Sequence, residues 1–212
     1  MSAQYTGTCP VAVDQPVMRQ RWERLTFLHW AYEPAVVQRL LPAALRVDEF
    51  DGAAWVGLVP FYMRVATAGG TGVPWASNFC ETNVRTYAVD RDGRAGIWFL
   101  SLDAARLGAV AAARATYRLP YFWSSMRVAT RDGQTGYSCR RRWPGPYGTA
   151  SRVRVETGAP YAAGELGDRD HFLAARWTLF SVTGSRQQPR GEPLVHYSPG
   201  VDVRIGRPES YE

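Results

Sequence analysis

Short strand-like stretches separated by turn signals dominate this sequence. FCETNVRTYAV (79–89) is rich in β-branched and aromatic residues, and the turn signal DRDG (90–93) separates it from AGIWFLSLD (95–103). Two such runs joined by a short turn predict an antiparallel β-hairpin. Within the second run, Ile97 to Leu100 is continuously apolar, which is typical of a strand that is buried on both faces.

Helix signals are few by comparison. The stretch 103–118 is alanine-rich and is followed by Pro120, so it predicts the main helix, with Ser101 or Asp103 as its cap. Shorter helices are predicted over 33–42 and 168–177. Further strands are predicted over 19–30, 53–66, 121–143 (a hairpin around Asp132-Gly133), 150–158 and 194–206.

One domain accounts for all of these elements. The 212 residues are enough for a single sizeable core, and no linker divides the chain. We therefore predict one domain over 1–212, with an irregular lead-in over 1–17. Its class is α+β and mostly antiparallel, with a closed or nearly closed sheet and the helices outside.

The basic residues exclude one kind of chemistry. All 25 of them are arginine, and the sequence contains no lysine. Schiff-base catalysis needs a primary amine that can lose its proton, whereas arginine stays charged in proteins. An internal side chain of this sequence therefore cannot form an imine with a carbonyl substrate.

Composition also narrows the compartment and the partners. Cys9, Cys80 and Cys139 form neither a disulfide framework nor a zinc pattern, and we expect no metal or cofactor. No signal peptide or membrane-length apolar run is present, so we expect a cytoplasmic protein. The net charge is +6, but only CRRRW (139–143) is a basic run. Short runs are usually solvated, so nucleic acid is a disfavoured partner.

Polar side chains alternate along the stretch 79–89. Glu81, Asn83 and Arg85 occupy every second position, so a strand points all three to one face. That face is either the solvent side of an antiparallel sheet or the polar wall of a binding site. The alternate positions, Cys80 to Thr86, are only moderately apolar, which weakens the solvent interpretation.

Several segments together resemble a known family. They are LTFLHW (25–30), AAWVGLVPFYM (53–63), FCETNVRTY (79–87), GIWFLSLDA (96–104), AARATYRLPYFWSSM (112–126), HFLAARW (171–177) and LVHYSPGVDVRIGRP (194–208). Their number, order and spacing resemble the YqjF-like family of uncharacterised bacterial proteins, which is distantly similar to acetoacetate decarboxylase. The resemblance implies a cone-shaped, mostly antiparallel β-barrel with a buried pocket and a few outer helices.

The sequence departs from the decarboxylase in two places. By this resemblance Glu81 matches a glutamate that faces the active site, and Tyr121 in LPY (119–121) stands where the decarboxylase has its Schiff-base lysine. Decarboxylation through an imine is therefore not expected. In addition, only SRQQPRGEP (185–193) joins Gly184 to Leu194, which is shorter than the family pattern and predicts a more open or incomplete site.

Four residues gain roles if the polar wall lies in a pocket. Glu81 is then the acid–base group, and Arg85 either keeps Glu81 ionised or binds a substrate carboxylate. Asn83 is a further substrate contact. Tyr121 donates a hydrogen bond to developing negative charge, although its neighbours Phe122 and Trp123 also fit an aromatic core cluster.

Other candidates have two open interpretations. Arg114 on the main helix is either a solvated surface residue or an anion contact at the pocket mouth. His196 is an acid–base candidate because histidine titrates near neutral pH, but a structural role also fits it. His29 is expected to be structural and His171 exposed.

Three functional hypotheses follow. The first is a small-molecule pocket protein, as a lysine-independent lyase, hydratase or isomerase that acts on an anionic, carbonyl-bearing compound. The second is a non-catalytic sensor or carrier with the same pocket. The third is a basic interaction module that uses Arg140–Arg142 to bind nucleic acid or protein. Homo-oligomerisation is compatible with each.

Overall fold

The computed structural model describes residues 16–67, 69–72, 77–159, 165–174, 178–180 and 194–205. Within these ranges the chain forms eleven strands, all in one sheet, and three helices. The elements are β1 (Met18–Tyr32), α1 (Pro34–Gln38), β2 (Arg46–Val47), β3 (Glu49–Phe50), β4 (Ala53–Thr67), β5 (Asn78–Val89), β6 (Ala95–Ala104), α2 (Leu107–Tyr117), β7 (Tyr121–Arg131), β8 (Gln134–Trp143), β9 (Ala150–Glu156), α3 (Asp168–Ala174), β10 (Thr178–Phe180) and β11 (Leu194–Ile205).

The sheet is antiparallel except where it branches at β6. Its main order is β11-β1-β4-β5-β6-β7-β8-β9, and β2 and β3 add short pairings to β5 and β4. The edge of β6 opposite to β5 pairs in parallel with β7 at Leu102–Ala104 and with β10 at Gly96–Trp98. Helix α2 supplies the crossover that a parallel β6–β7 pair requires.

The strands curl into an open half-barrel with the three helices, which confirms the predicted mostly antiparallel α+β class. Closure of the barrel stays a prediction. The predicted lead-in over 1–17 lies almost entirely outside the described residues.

Across the curl, the Tyr137 hydroxyl on β8 donates a 2.6 Å hydrogen bond to the Arg24 carbonyl on β1 and lies 2.9 Å from the Thr26 hydroxyl. The β7–β8 hairpin therefore folds back over β1.

Strand β6 is buried on both faces, as its continuous apolar run predicts. Ile97 and Phe99 pack in a cluster with Phe172 of α3. Trp98 and Leu100 point the other way and pack in a separate cluster. The two clusters show that protein covers both faces of the sheet at its centre.

The main helix begins later than predicted. Asp103 belongs to β6, and α2 starts at Leu107 after an extended Arg106 that makes no side-chain cap. The predicted cap is wrong because Asp103 takes an ion-pair partner in the sheet instead. Along the described part of the chain, no helix combines the length and apolarity needed to cross a membrane.

Candidate functional site

Strand β5 turns its polar alternation inward. Glu81, Asn83 and Arg85 are 2%, 1% and 3% exposed, so the solvent-face interpretation is wrong. Glu81 lies between Phe61 on β4 and Ala104 on β6 in the register of the sheet. An apolar cluster lies near each end of this row of polar side chains, because Phe79 and Tyr87 continue the same face of the strand.

Glu81 and Tyr121 form the centre of the candidate site. The Tyr121 hydroxyl donates a 3.0 Å hydrogen bond to Oε2 of Glu81. Burial raises the pKa of Glu81 to about 8, and the negative charge of Asp103 adds to that rise, although hydrogen bonds from Tyr121 and Asn83 oppose it. Burial and the adjacent Glu81 likewise raise the pKa of Tyr121 well above its usual value. Near neutral pH Glu81 is therefore mostly a neutral carboxylic acid.

Helix α2 fixes the position of Tyr121. Arg114 on α2 donates a 2.7 Å hydrogen bond to the backbone carbonyl of Tyr121, and its guanidinium lies 5.9 Å from the Trp143 ring. The turn between the helix and β7 includes Arg118 in the left-handed conformation, at φ 51°. These contacts favour a positioning role for Arg114 over the predicted anion contact.

Arg85 does not partner Glu81. They lie four positions apart, which is about 13 Å along an extended strand, and Asn83 lies between them. The guanidinium instead donates to the Tyr87 hydroxyl at 3.2 Å and to the Leu173 carbonyl at 3.1 Å. The expectation that Arg85 keeps Glu81 ionised is therefore wrong, in agreement with the raised pKa of Glu81.

Arg85 is a buried cation without a carboxylate partner among the described residues. Its Nε also lacks a hydrogen-bond partner there, and its guanidinium lies 5.1 Å from the Phe27 ring. Burying a charge is costly unless it is paired. A buried, unpaired guanidinium is therefore a feature typical of an anion-binding position.

His29 lies beside Arg85. Its Nε2 is 2.6 Å from the Tyr87 hydroxyl, while its Nδ1 lacks a partner in the described part of the chain. Burial, Arg85 and His196 lower the pKa of His29 well below its usual value, so the ring is neutral at pH 7. Gly57 pairs with both His29 and Arg85, and a Cβ there would come 2.8 Å from His29 Nε2. Only glycine leaves room for this packing.

The structure leaves His196 apart from Glu81. His196 Nε2 lies 2.9 Å from Asp170 Oδ1, so the residue joins β11 to α3. His171, in the same helix, is half-buried rather than exposed. The sequence interpretation also missed Tyr87, although it continues the alternation after Arg85 and could have been found by extending that pattern.

A second buried polar cluster lies on the opposite face of the sheet. Asp103 accepts hydrogen bonds from Nε and Nη2 of Arg141 at 2.9 and 2.6 Å and from the Ser124 hydroxyl at 2.6 Å. Arg141 is buried, whereas Arg140 and Arg142 are exposed. The basic run therefore does not present three arginines to one partner. The signal for this pair was Asp103 itself, a lone charge near the end of an apolar strand.

A cleft of about 1050 Å³ lies on that same face. Thr82 and Val84 line it, and these residues alternate with Glu81, Asn83 and Arg85 along β5. None of the three belongs to its lining. Burial raises the pKa of the Cys139 thiol, which does line it, to about 12, so this thiol is no nucleophile near neutral pH. In the described ranges no cluster of three His, Cys, Asp or Glu could hold a metal ion.

Solved structures share this architecture. An acetoacetate decarboxylase-like enzyme from Sphingomonas wittichii RW1 has a TM-score of 0.56 at 14% identity, over 97% of this chain and 86% of its own. Acetoacetate decarboxylase from Legionella pneumophila has a TM-score of 0.52 at 14% identity, over 96% and 84%. The enduracididine biosynthesis enzyme MppR, complexed with the condensation product of pyruvate and imidazole 4-carboxaldehyde, has a TM-score of 0.54 at 13% identity, over 92% and 79%. The chain therefore has an acetoacetate decarboxylase-like fold.

Sequence similarity then gives the family. The DUF2071 family, described as an uncharacterized conserved protein, matches residues 19–189. The uncharacterized protein YqjF of Bacillus subtilis (strain 168) is 33% identical over 167 residues, which is 78% of this chain and 68% of that protein. The chain belongs to the DUF2071 family, which confirms the resemblance seen in its sequence.

Proposed function

We propose that the protein is an enzyme that moves a proton next to a carbonyl group of a small molecule without forming an imine. Glu81 is the acid–base group. When substrate binds, the Tyr121 hydroxyl turns its one donor hydrogen from Glu81 to the charge that develops on the carbonyl oxygen. Arg85 holds a carboxylate of the substrate. The reaction class is that of a lyase, hydratase or isomerase acting on a carboxylate-bearing carbonyl compound.

The hydrogen bond between buried Glu81 and half-buried Tyr121 carries this proposal. A pKa of about 8 lets Glu81 act as an acid below that pH and as a base above it, which suits proton transfer near neutrality. Tyr121 keeps its proton because its own pKa is raised well above its usual value, so the phenol remains a donor. The fold neighbour MppR has also been solved in complex with pyruvate, a carbonyl acid of the proposed class.

The spacing of the groups suggests an elongated substrate. Glu81 and Arg85 stand about 13 Å apart along β5, and the Arg85 guanidinium points towards Tyr87 and Leu173. A substrate that reaches both carries its carboxylate several carbons from its carbonyl. Asn83 lies between the two, and its Oδ1, unpartnered among the described residues, can accept a hydrogen bond from that chain.

Deuterium exchange tests the proposal directly. The protein is incubated in D₂O with 4-oxopentanoate, with 8-oxononanoate or with neutral 2-nonanone, and loss of the protons next to the carbonyl is followed by NMR. We expect faster exchange of 8-oxononanoate than of the shorter acid, and a rate that rises with pH through about 8 as Glu81 ionises. Glu81→Gln abolishes the exchange, and the exposed Glu156→Gln does not.

Arg85→Met separates the anion contact from the proton transfer. We expect it to raise the concentration of 8-oxononanoate at half-maximal rate by about tenfold or more, since one ionic contact exceeds about 1.4 kcal/mol. Exchange of 2-nonanone stays unchanged, and the exposed Arg127→Gln is the matched control. Exchange that survives in Glu81→Gln sinks the proposal. Saturable binding without exchange, lost in Arg85→Met, supports the sensor or carrier hypothesis instead.

A further inference from the structure

The cleft on the opposite face of β5 does not include Glu81 in its lining. The β7–β8 hairpin folds back over the sheet and helix α1 flanks it, so the cleft has walls on several sides. Its volume of about 1050 Å³ lies at the upper end of the range for small-molecule sites. Because neighbouring side chains on a strand point to opposite faces, a ligand here cannot touch Glu81, Asn83 or Arg85.

The walls of the cleft are mainly apolar. Leu58, Val84 and Leu100 come from the sheet, Val36 comes from α1, and Leu40 comes from the turn that follows α1. Aromatic rings add flat surfaces at Tyr32, Phe122 and Tyr147. Tyr147 is 74% exposed, so one of these rings is available to cover an incoming molecule. Such walls favour a largely apolar ligand with an aromatic part.

The floor of the cleft is polar but electrically neutral. Asp103 and Arg141 both line it, and they already satisfy each other through two hydrogen bonds. An ionised ligand would lose its hydration and find no unpaired opposite charge there. The hydroxyl-bearing residues Thr82, Ser101 and Ser151 also line the cleft and offer neutral hydrogen bonds.

We propose that this cleft binds an uncharged, mostly apolar aromatic molecule that carries one or two hydrogen-bonding groups. The site is separate from the one that holds the anionic carbonyl compound, so one protein carries two ligand sites on the two faces of β5. The ligand rests on the apolar walls, and the neutral floor discriminates against ions.

A matched pair of fluorescent probes tests this specificity. N-Phenyl-1-naphthylamine is neutral and aromatic, and 8-anilinonaphthalene-1-sulfonate differs from it by one sulfonate. We expect saturable, micromolar binding of the neutral probe, measured by fluorescence titration, and at least about tenfold weaker binding of the sulfonate. Equal or tighter binding of the sulfonate overturns the proposal, because it would show that the floor attracts anions.

Variants locate the probe. Val36→Trp, on a half-buried position of α1, fills the cleft and weakens binding of the neutral probe by about tenfold or more, and Val84→Trp does the same from the sheet. The matched control is Val201→Trp, a 39% exposed valine of β11 outside the cleft lining. Glu81→Gln, on the other face, leaves probe binding unchanged even if it abolishes exchange. If folded Val36→Trp binds the neutral probe like the wild type, the cleft is not the site.

Discussion

Two buried carboxyl groups on neighbouring strands have opposite surroundings. Asp103 on β6 accepts two hydrogen bonds from the Arg141 guanidinium and one from the Ser124 hydroxyl. Glu81 on β5 accepts a hydrogen bond from the Tyr121 hydroxyl and has no cation partner among the described residues. Both are less than a tenth exposed, so burial alone does not separate them.

The difference separates a carboxyl group with a structural role from one that can change its protonation state near neutral pH. A carboxylate that is fully paired cannot give up its partner without a large loss of stability, so Asp103 acts as a structural link between β6 and β8. Desolvation also acts on Glu81, and its pKa rises because no cation partner among the described residues offsets that desolvation. It can exchange a proton near neutral pH, which is what a general acid–base residue requires.

The largest expected effect on stability comes from breaking the ion pair between Asp103 and Arg141. Arg141→Ala leaves Asp103 charged and buried, so we expect a loss of about 3–5 kcal/mol in unfolding free energy, measured by urea denaturation. The exposed neighbour Arg142→Ala should change it by less than about 0.5 kcal/mol. Replacing both partners, as Asp103→Asn with Arg141→Met, should be milder than Arg141→Ala. If the stability losses of the single variants Asp103→Asn and Arg141→Met add up to the loss of the double variant, the pair is not coupled.

Glu81→Gln should change the pH dependence of stability by about 3 kcal/mol. The folded pKa of about 8 lies above the usual 4.5, so the folded state binds the extra proton between those values. The contribution of Glu81 to wild-type stability is therefore fully present below pH 4.5 and is lost as the pH rises towards 8. Urea melts from pH 4.5 to 7 should show the wild type weakening relative to Glu81→Gln. Parallel curves for the two proteins would mean that folding does not raise the pKa of Glu81. The curve of the exposed control Glu156→Gln should run parallel to that of the wild type.

Tyr121→Phe should have a smaller effect. The lost hydrogen bond costs about 0.5–1.5 kcal/mol. Because the Tyr121 phenol lowers the pKa of Glu81, its removal should raise that pKa further. Titration of the ¹³C-labelled Glu81 carboxyl by NMR measures the shift, with exposed Tyr147→Phe as the control. A pKa that falls would show that the phenol does not stabilise the ionised form.

The smallest effect is expected where arginines stay in water. Arg140→Ser with Arg142→Ser should leave stability within about 1 kcal/mol, in contrast to buried Arg141 between them. Binding of wild-type protein to duplex DNA, measured by fluorescence anisotropy, should be weak and absent near physiological salt. Sub-micromolar binding at that salt, lost in the double variant, would restore the interaction-module hypothesis.

Local patterns were enough for the long strands and for the alternation on β5, but not for the short strands β2, β3 and β10. The β5–β6 hairpin followed from its turn signal, and the burial of β6 on both faces followed from Ile97 to Leu100. The alternation correctly placed Glu81, Asn83 and Arg85 on one face but left open whether protein or water covered it. A period of two residues fixes only which side chains share a face of the strand. Deciding whether protein or water covers that face required the residues that pack against it.

The sequence by itself determined the class of fold, the absence of an imine-forming side chain and the grouping of the polar residues on one strand. All three depend on local chemistry or on composition. Only the tertiary structure decided that Glu81 meets Tyr121 from 40 residues away, that Arg85 turns to Tyr87, and that Arg141 pairs with Asp103. These contacts depend on strand register and on the curl of the sheet. Desolvation, which sets the pKa of Glu81, exists only once the distant strands have come together.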